Sequence, residues 1–149
     1  MYVVMKKLFL LWVVLFSFQA IARADGDKPI KVNRLPDKAQ QFIKQYFANN
    51  DVAMAKVESS WLEKTYTVIF TNGDKVEFNK NGAWEEVNCK YSSVPAKVIP
   101  TAILNYVTAN HPRERILKIE RDKKNYEVKL SNKWKLTFDP MYQLIDIEQ

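Results

Sequence analysis

The mature part of this chain is written twice, and much of the second copy lies on the first when sixty is added to the residue number. Tyr66, Val68, Asn72, Lys75 and Phe78 fall on Tyr126, Val128, Asn132, Lys135 and Phe138. Upstream the order recurs with small changes in length. Leu35-Pro36 followed by Phe42 and Ile43 answers to Ile99-Pro100 followed by Tyr106 and Val107, and Lys56-Val57-Glu58 to Lys118-Ile119-Glu120. An internal correspondence of this length predicts one supersecondary unit used twice.

The unit reads as a helix and then strands. Pro36 and Asp37 open the first helix, with a fixed φ and an acid near the positive end of the dipole. Ala39, Phe42, Ile43, Tyr46 and Phe47 then recur at helical spacing, and Ile103, Tyr106 and Val107 repeat the stripe before Pro112. Alternation predicts strands from Met54 to Trp61, over Tyr66, Val68 and Phe70, over Val76 and Phe78, and from Trp84 to Cys89. The second set runs from Ile116 to Arg121, Tyr126 to Ser131, Lys133 to Phe138 and Leu144 to Glu148.

Turn chemistry sets the register of the hairpins. A three-residue loop over Thr71-Asn72-Gly73, with Gly73 left-handed, pairs Val68 with Val76 and Tyr66 with Phe78, whereas a two-residue Asn-Gly turn would set apolar residues against charged ones. Lys133 and Tyr142 stand where the first copy has Gly73 and Gly82. The expected fold class is therefore α+β: two tandem repeats, residues 35–90 and 94–149, each a helix packed on a four-stranded antiparallel meander. Residues 25–34 are polar and read as a flexible tether.

Lys6 and Lys7 precede an apolar run from Leu8 to Phe18, and Ala22-Arg23-Ala24 offers small residues where signal peptidase reads them. Residues 1–24 are thus expected to be a secretory signal peptide, leaving a periplasmic chain that begins at Asp25 or Arg23. The run is shorter than the roughly 20 residues a spanning helix needs, so no stable membrane insertion is expected after cleavage. Removing residues 1–24 takes away Lys6, Lys7 and Arg23 and no acid, which lowers the formal charge from +6 to +3. An exported protein with so modest a balance is a poor candidate for nucleic acid.

Catalytic motifs are missing from the sequence. There is one His, His111, and one Cys, Cys89, and no His-Glu-x-x-His, Gly-x-Ser-x-Gly or phosphate loop, so no enzyme activity, cofactor or metal site is expected. Cys89 reads as a small buried hydrophobe and His111 as a helix-terminating packing residue. Glu85 and Glu86 are adjacent, and strict alternation would send them to opposite faces. Turn oxygens on Asn79, Asn81 and Asp139 form no ordered calcium loop.

With one sheet face covered by helices, the other is left open, carrying Thr67, Ile69, Lys129, Lys133 and Lys135. We read it as the docking face for a protein partner. The final strands fit no single phase: placing Trp84 and Leu144 in the core turns Val87, Ile145 and Ile147 away from it.

Leu35-Pro36 with Gln40 to Ile43, Lys56-Val57-Glu58, Asn79 to Trp84, Val87-Asn88-Cys89, Val94-Pro95 through Pro100, Lys118 to Asp122 and Tyr126-Glu127-Val128 together resemble the PepSY-like, β-lactamase-inhibitor-like secreted proteins of Gram-negative Bacteroidetes. The resemblance runs from Leu35 to Gln149. It implies a periplasmic α+β protein with a sheet surface that grips another protein; it does not imply inhibition of a β-lactamase. The expected function is a non-catalytic binding module that docks or inhibits a protein. The alternative is a small-ligand or calcium-responsive sensor with a pocket between the repeats.

Overall fold

A computed structural model describes residues 26–149; the signal-peptide reading and its cleavage site lie outside them. The strands are β1 (Asp27–Ile30), β2 (Val52–Ser59), β3 (Lys64–Phe70), β4 (Lys75–Asn79), β5 (Trp84–Asn88), β6 (Ile116–Arg121), β7 (Tyr126–Leu130), β8 (Lys135–Phe138) and β9 (Leu144–Glu148). Helix α1 (Asp37–Tyr46) precedes β2 and α2 (Thr101–Asn110) precedes β6. Among the described residues, no helix is long and apolar enough to cross a membrane.

All nine strands form one antiparallel sheet in sequence order, which corrects the expectation of two tandem helix-plus-four-strand repeats. The joint is the pairing of β5 with β6, where Val87 stands opposite Ile119. Both are fully buried. Separate meanders would have left two apolar strand edges unpaired, and joining them satisfies the backbone while making the core continuous.

The segment read as a tether supplies β1 and a 3-10 turn at Val32–Arg34. Its polar residues face solvent, but Ile30 stands opposite Ala55 and packs on the core. Alternation over four residues around a proline is too short a signal to read from sequence.

Each helix follows a proline with φ near the value a helix start requires, −54° at Pro36 and −51° at Pro100. Both helices lie on the same sheet face. Phe42 meets Phe78 edge-on at 5.5 Å, and Tyr106 meets Phe138 in the same way at 5.5 Å. Phe47 stacks on Phe70 at 4.9 Å. Phe78 and Phe138 are fully buried, and truncating such a side chain to Ala costs about 3–5 kcal/mol. His111 closes α2 and packs edge-on against Trp134 at 5.4 Å.

Bulges resolve the phase conflict in the last strand of each half. Phe78 pairs with Trp84 and Glu77 with Glu86, so Glu85 is extra; Phe138 pairs with Leu144 and Thr137 with Asp146, so Ile145 is extra. One inserted residue reverses parity. Trp84 and Val87 are consequently both buried in the core.

The hairpin register holds as expected, with Val68 opposite Val76 and Tyr66 opposite Phe78. Gly73 has φ +89°, and Lys133 occupies the corresponding left-handed position at +75°. A side chain there costs roughly 1–2 kcal/mol.

The correspondence between the halves shifts along the chain. Ala55 stands opposite Val68, as Ile119 stands opposite Val128. Ala55 thus answers to Ile119, whereas the Lys-x-Glu match had pointed to Val57. The slip is two residues and leaves every side chain on its expected face. It arises because the β2–β3 hairpin is longer than the β6–β7 hairpin, and its tip holds Trp61, 90% exposed, and Leu62, 68% exposed.

Candidate functional site

The helix-free face of the sheet is organised by register into rows. Thr67 opposes Glu77, Glu77 opposes Glu86, Glu86 opposes Glu120, Glu120 opposes Glu127, and Glu127 opposes Thr137. Four strands therefore present four glutamates side by side. The neighbouring row runs Ile69, Lys75, Asn88, Lys118, Lys129 and Lys135, ending at Glu148.

Like charges directly opposite each other destabilise a sheet, and the lysine row offsets this. Lys75 Nζ lies 2.8 Å from Glu77 and 3.1 Å from Glu86, and Lys118 Nζ lies 3.3 Å from Glu86 and 2.8 Å from Glu120. Glu86 is the hub. It is 9% exposed, and its Oε1, although near Lys75, makes no well-directed hydrogen bond.

Burial alone would raise the Glu86 carboxyl, but the close approach of Glu120 and Lys75 and the charges of Lys118 and Lys75 outweigh it, holding it below its ordinary value. Glu120 moves the other way, raised by burial and then by the neighbouring Glu86 carboxyl. Burial lowers Lys75 and Lys118, yet their carboxylate partners leave both raised and firmly charged.

Where β5 meets β6 the face dips into a hollow of about 320 Å³ lined by Glu77, Glu85, Glu86, Glu120, Asp122 and Glu127, with Arg121 at its side. Glu85 and Glu86 thus border the same hollow, contrary to strict alternation, because Glu85 is the bulge residue. Arg121 sits over the Trp84 ring at 3.9 Å and donates from Nε to the Trp84 carbonyl, so it is anchored rather than free to neutralise the acids.

Of the residues expected on the docking face, Thr67, Ile69, Lys129 and Lys135 lie on it. They do not form one cluster. Thr67 and Ile69 are on β3 and Lys129 is on β7, four strands away, or roughly 19 Å at about 4.8 Å per strand. Lys133 is in the β7–β8 turn, and Lys135 is held by Glu148 at 3.0 Å and Glu127 at 3.8 Å. Sequence reading missed the carboxylate row. Glu77 and Glu127 alternate visibly, but Glu86 is hidden by the bulge and Glu120 gains meaning only from the β5–β6 pairing.

Among the described residues, no group of three or more His, Cys, Asp or Glu is arranged to hold a metal ion. Cys89 is fully buried, and burial followed by the charge of Asp74 pushes its thiol up to about 12.

Among the described residues, a nine-stranded antiparallel sheet with two helices on one face and a charged, open opposite face defines an α+β domain. Residues 64–146 match the family described as "Putative beta-lactamase-inhibitor-like, PepSY-like", and the chain belongs to that family. A search of curated proteins gave no significant match.

Three solved structures are similar along nearly their whole length. A Bacteroides vulgatus protein described as a "putative periplasmic protein" of the DUF2874 family shares 60% identity over 85% of this chain and 99% of its own, with a TM-score of 0.82. A Bacteroides thetaiotaomicron protein described as a "putative calcium-regulated periplasmic protein" shares 61% identity over 85% and 99%, with a TM-score of 0.83. A second Bacteroides vulgatus protein, described as a "putative periplasmic protein of unknown function", shares 36% identity over 83% and 100%, with a TM-score of 0.79. This chain is periplasmic, as they are described to be.

Proposed function

We propose that this protein is a non-catalytic periplasmic binding module that docks another protein through its open sheet face. The observation that carries the reading is the row Glu77, Glu86, Glu120 and Glu127, aligned across four consecutive strands above the hollow. A sheet tolerates four like charges in a line only at a cost to its own stability. The cost has a use if a partner brings cationic side chains to the row, since complementary charge steers association and fixes register. The inhibitor-like description of the family supports a protein-binding role.

The test is capture from periplasmic extract by the immobilised chain and by its Glu77→Lys/Glu127→Lys variant. Both changed positions are only partly buried strand residues, so the variant should fold. A partner retained by the wild type and lost by the variant supports the reading. Equal capture by both would remove it.

A second reading, a calcium-responsive sensor, is favoured by the description of the Bacteroides thetaiotaomicron relative. Lys75 and Lys118 occupy the carboxylates as they stand, so calcium would have to displace them. A rise in melting temperature specific to calcium over magnesium, abolished by Glu120→Gln, would support this reading over the first.

A further inference from the structure

The two outer edges of the sheet are finished differently. On one side β1 lies along β2; it is four residues long, and its Pro29 has no N–H to offer a further strand. Pro29 therefore interrupts that edge as a template for a further strand. On the other side, nothing among the described residues pairs with the outer edge of β9.

The interior of the same sheet shows what that edge lacks. Ile147 stands opposite Leu136 as Val87 stands opposite Val76. Val87 also receives Ile119 of β6 on its far side and is fully buried, whereas Ile147 remains 41% exposed and Ile145 56%. On the open face of β9 are Asp146 and Glu148. Glu148 is held by Lys135, while Asp146 makes no ion pair among the described residues.

We infer that the outer edge of β9 accepts an extended segment of another polypeptide, running antiparallel, with an apolar residue against Ile147 and Lys or Arg on either side, opposite Asp146 and Glu148. Main-chain hydrogen bonds supply the affinity of such strand addition and alternate side chains supply its selectivity. A second copy of β9 is a poor occupant. Antiparallel pairing centred on Ile147 sets Asp146 of one copy against Glu148 of the other, twice, and like charges directly opposite repel. The acids that bar self-association therefore select a basic guest. This edge is distinct from the glutamate row, so either reading can fail alone.

The experiment uses the exported chain labelled with 15N and the capped peptide Thr-Lys-Ile-Lys-Val-Thr, with Thr-Glu-Ile-Glu-Val-Thr as its charge-inverted control. The basic peptide should give saturable shift changes in the amides of residues 144–148 and leave the β1 edge unchanged. Binding should weaken by about tenfold or more for the acidic peptide and for Asp146→Lys/Glu148→Lys, and should fall with added salt. The inference is overturned by absence of saturable binding, by shifts confined to the glutamate row, by equal binding of both peptides, or by a dimer whose interface maps to β9.

Discussion

Glu86 and Glu120 face each other across the β5–β6 joint, two carboxylates directly opposed where the halves of the sheet meet. Lys75 and Lys118 flank the pair and reach Glu86 at 3.1 and 3.3 Å. The two acids are not equivalent. Glu86 is the acceptor both lysines share, and Glu120 is the group burial and its neighbour push towards protonation.

Glu86→Gln should therefore destabilise the protein by about 1–3 kcal/mol, because it removes the charge that two half-buried ammonium groups share and turns one of its two acceptor oxygens into a donor. Glu120→Gln should instead be slightly stabilising at pH 7, since the amide removes the charge directly opposed to Glu86. Urea denaturation of both variants at pH 7 decides it. Equal losses would show that the lysines are indifferent to which acid they meet.

The pH dependence has a sign. Glu120 is raised in the folded state, so its contribution is present at low pH and is lost as pH rises through its folded value; Glu86 is lowered, so its contribution is present above the ordinary value of 4.5 and is lost as pH falls. Relative to wild type, Glu120→Gln should gain melting temperature at neutral pH. That gain should shrink as pH falls towards 4.5. A difference constant from pH 4 to 8 would contradict the assignment.

Gly82→Ala should cost more than Gly73→Ala. Both glycines have positive φ, but a Cβ on Gly82 would sit 2.8 Å from Pro36 Cβ and 3.0 Å from the Ala39 backbone nitrogen, whereas on Gly73 it would meet the Tyr91 ring at 3.1 Å. Tyr91 is 71% exposed and free to move aside. The strain alone is about 1–3 kcal/mol at either site, and the clash with the start of α1 adds to it only at Gly82. Thermal melts of the two variants should separate accordingly.

Cys89 should resist a water-soluble disulfide reagent in the native protein at pH 8 and react fully in denaturant. Its thiol is buried and pushed up to about 12, so almost no thiolate is present. Because the folded value is raised, its contribution is complete below the ordinary value of 9.0 and is lost as pH rises from there towards 12. Rapid native labelling would mean that the β5 end opens locally.

Lys135→Glu should lower the melting temperature, and more at low salt than at high, because it sets a third carboxylate against Glu127 and Glu148. Lys133→Glu should not, since Lys133 stands in the β7–β8 turn with no ion pair among the described residues. The expectation from sequence treated the two lysines alike. Their backbone positions differ: one is a strand residue facing two acids and the other a left-handed turn residue.

The chain's own pattern determined its helices, the strands of both halves and the apolar side of all but the last strand of each half. Phe42, Ile43, Tyr106 and Val107 declare a helix stripe by spacing, and Val68, Val76, Val128 and Phe138 declare a buried face by alternation, because those periods are local properties of the backbone. The hairpin at Gly73 was equally legible, since only one loop length sets Val68 against Val76. Tertiary structure decided what sequence periodicity cannot carry. The β5–β6 pairing merges the two halves into one sheet and sets Glu86 against Glu120, residues more than thirty positions apart. Bulges at Glu85 and Ile145 reverse parity by one residue and bring Trp84 and Val87 into the same core. Ile30 closes one edge and Ile147 leaves the other bare. Each depends on which strand lies beside which, and an alternating sequence specifies its faces but not its neighbours.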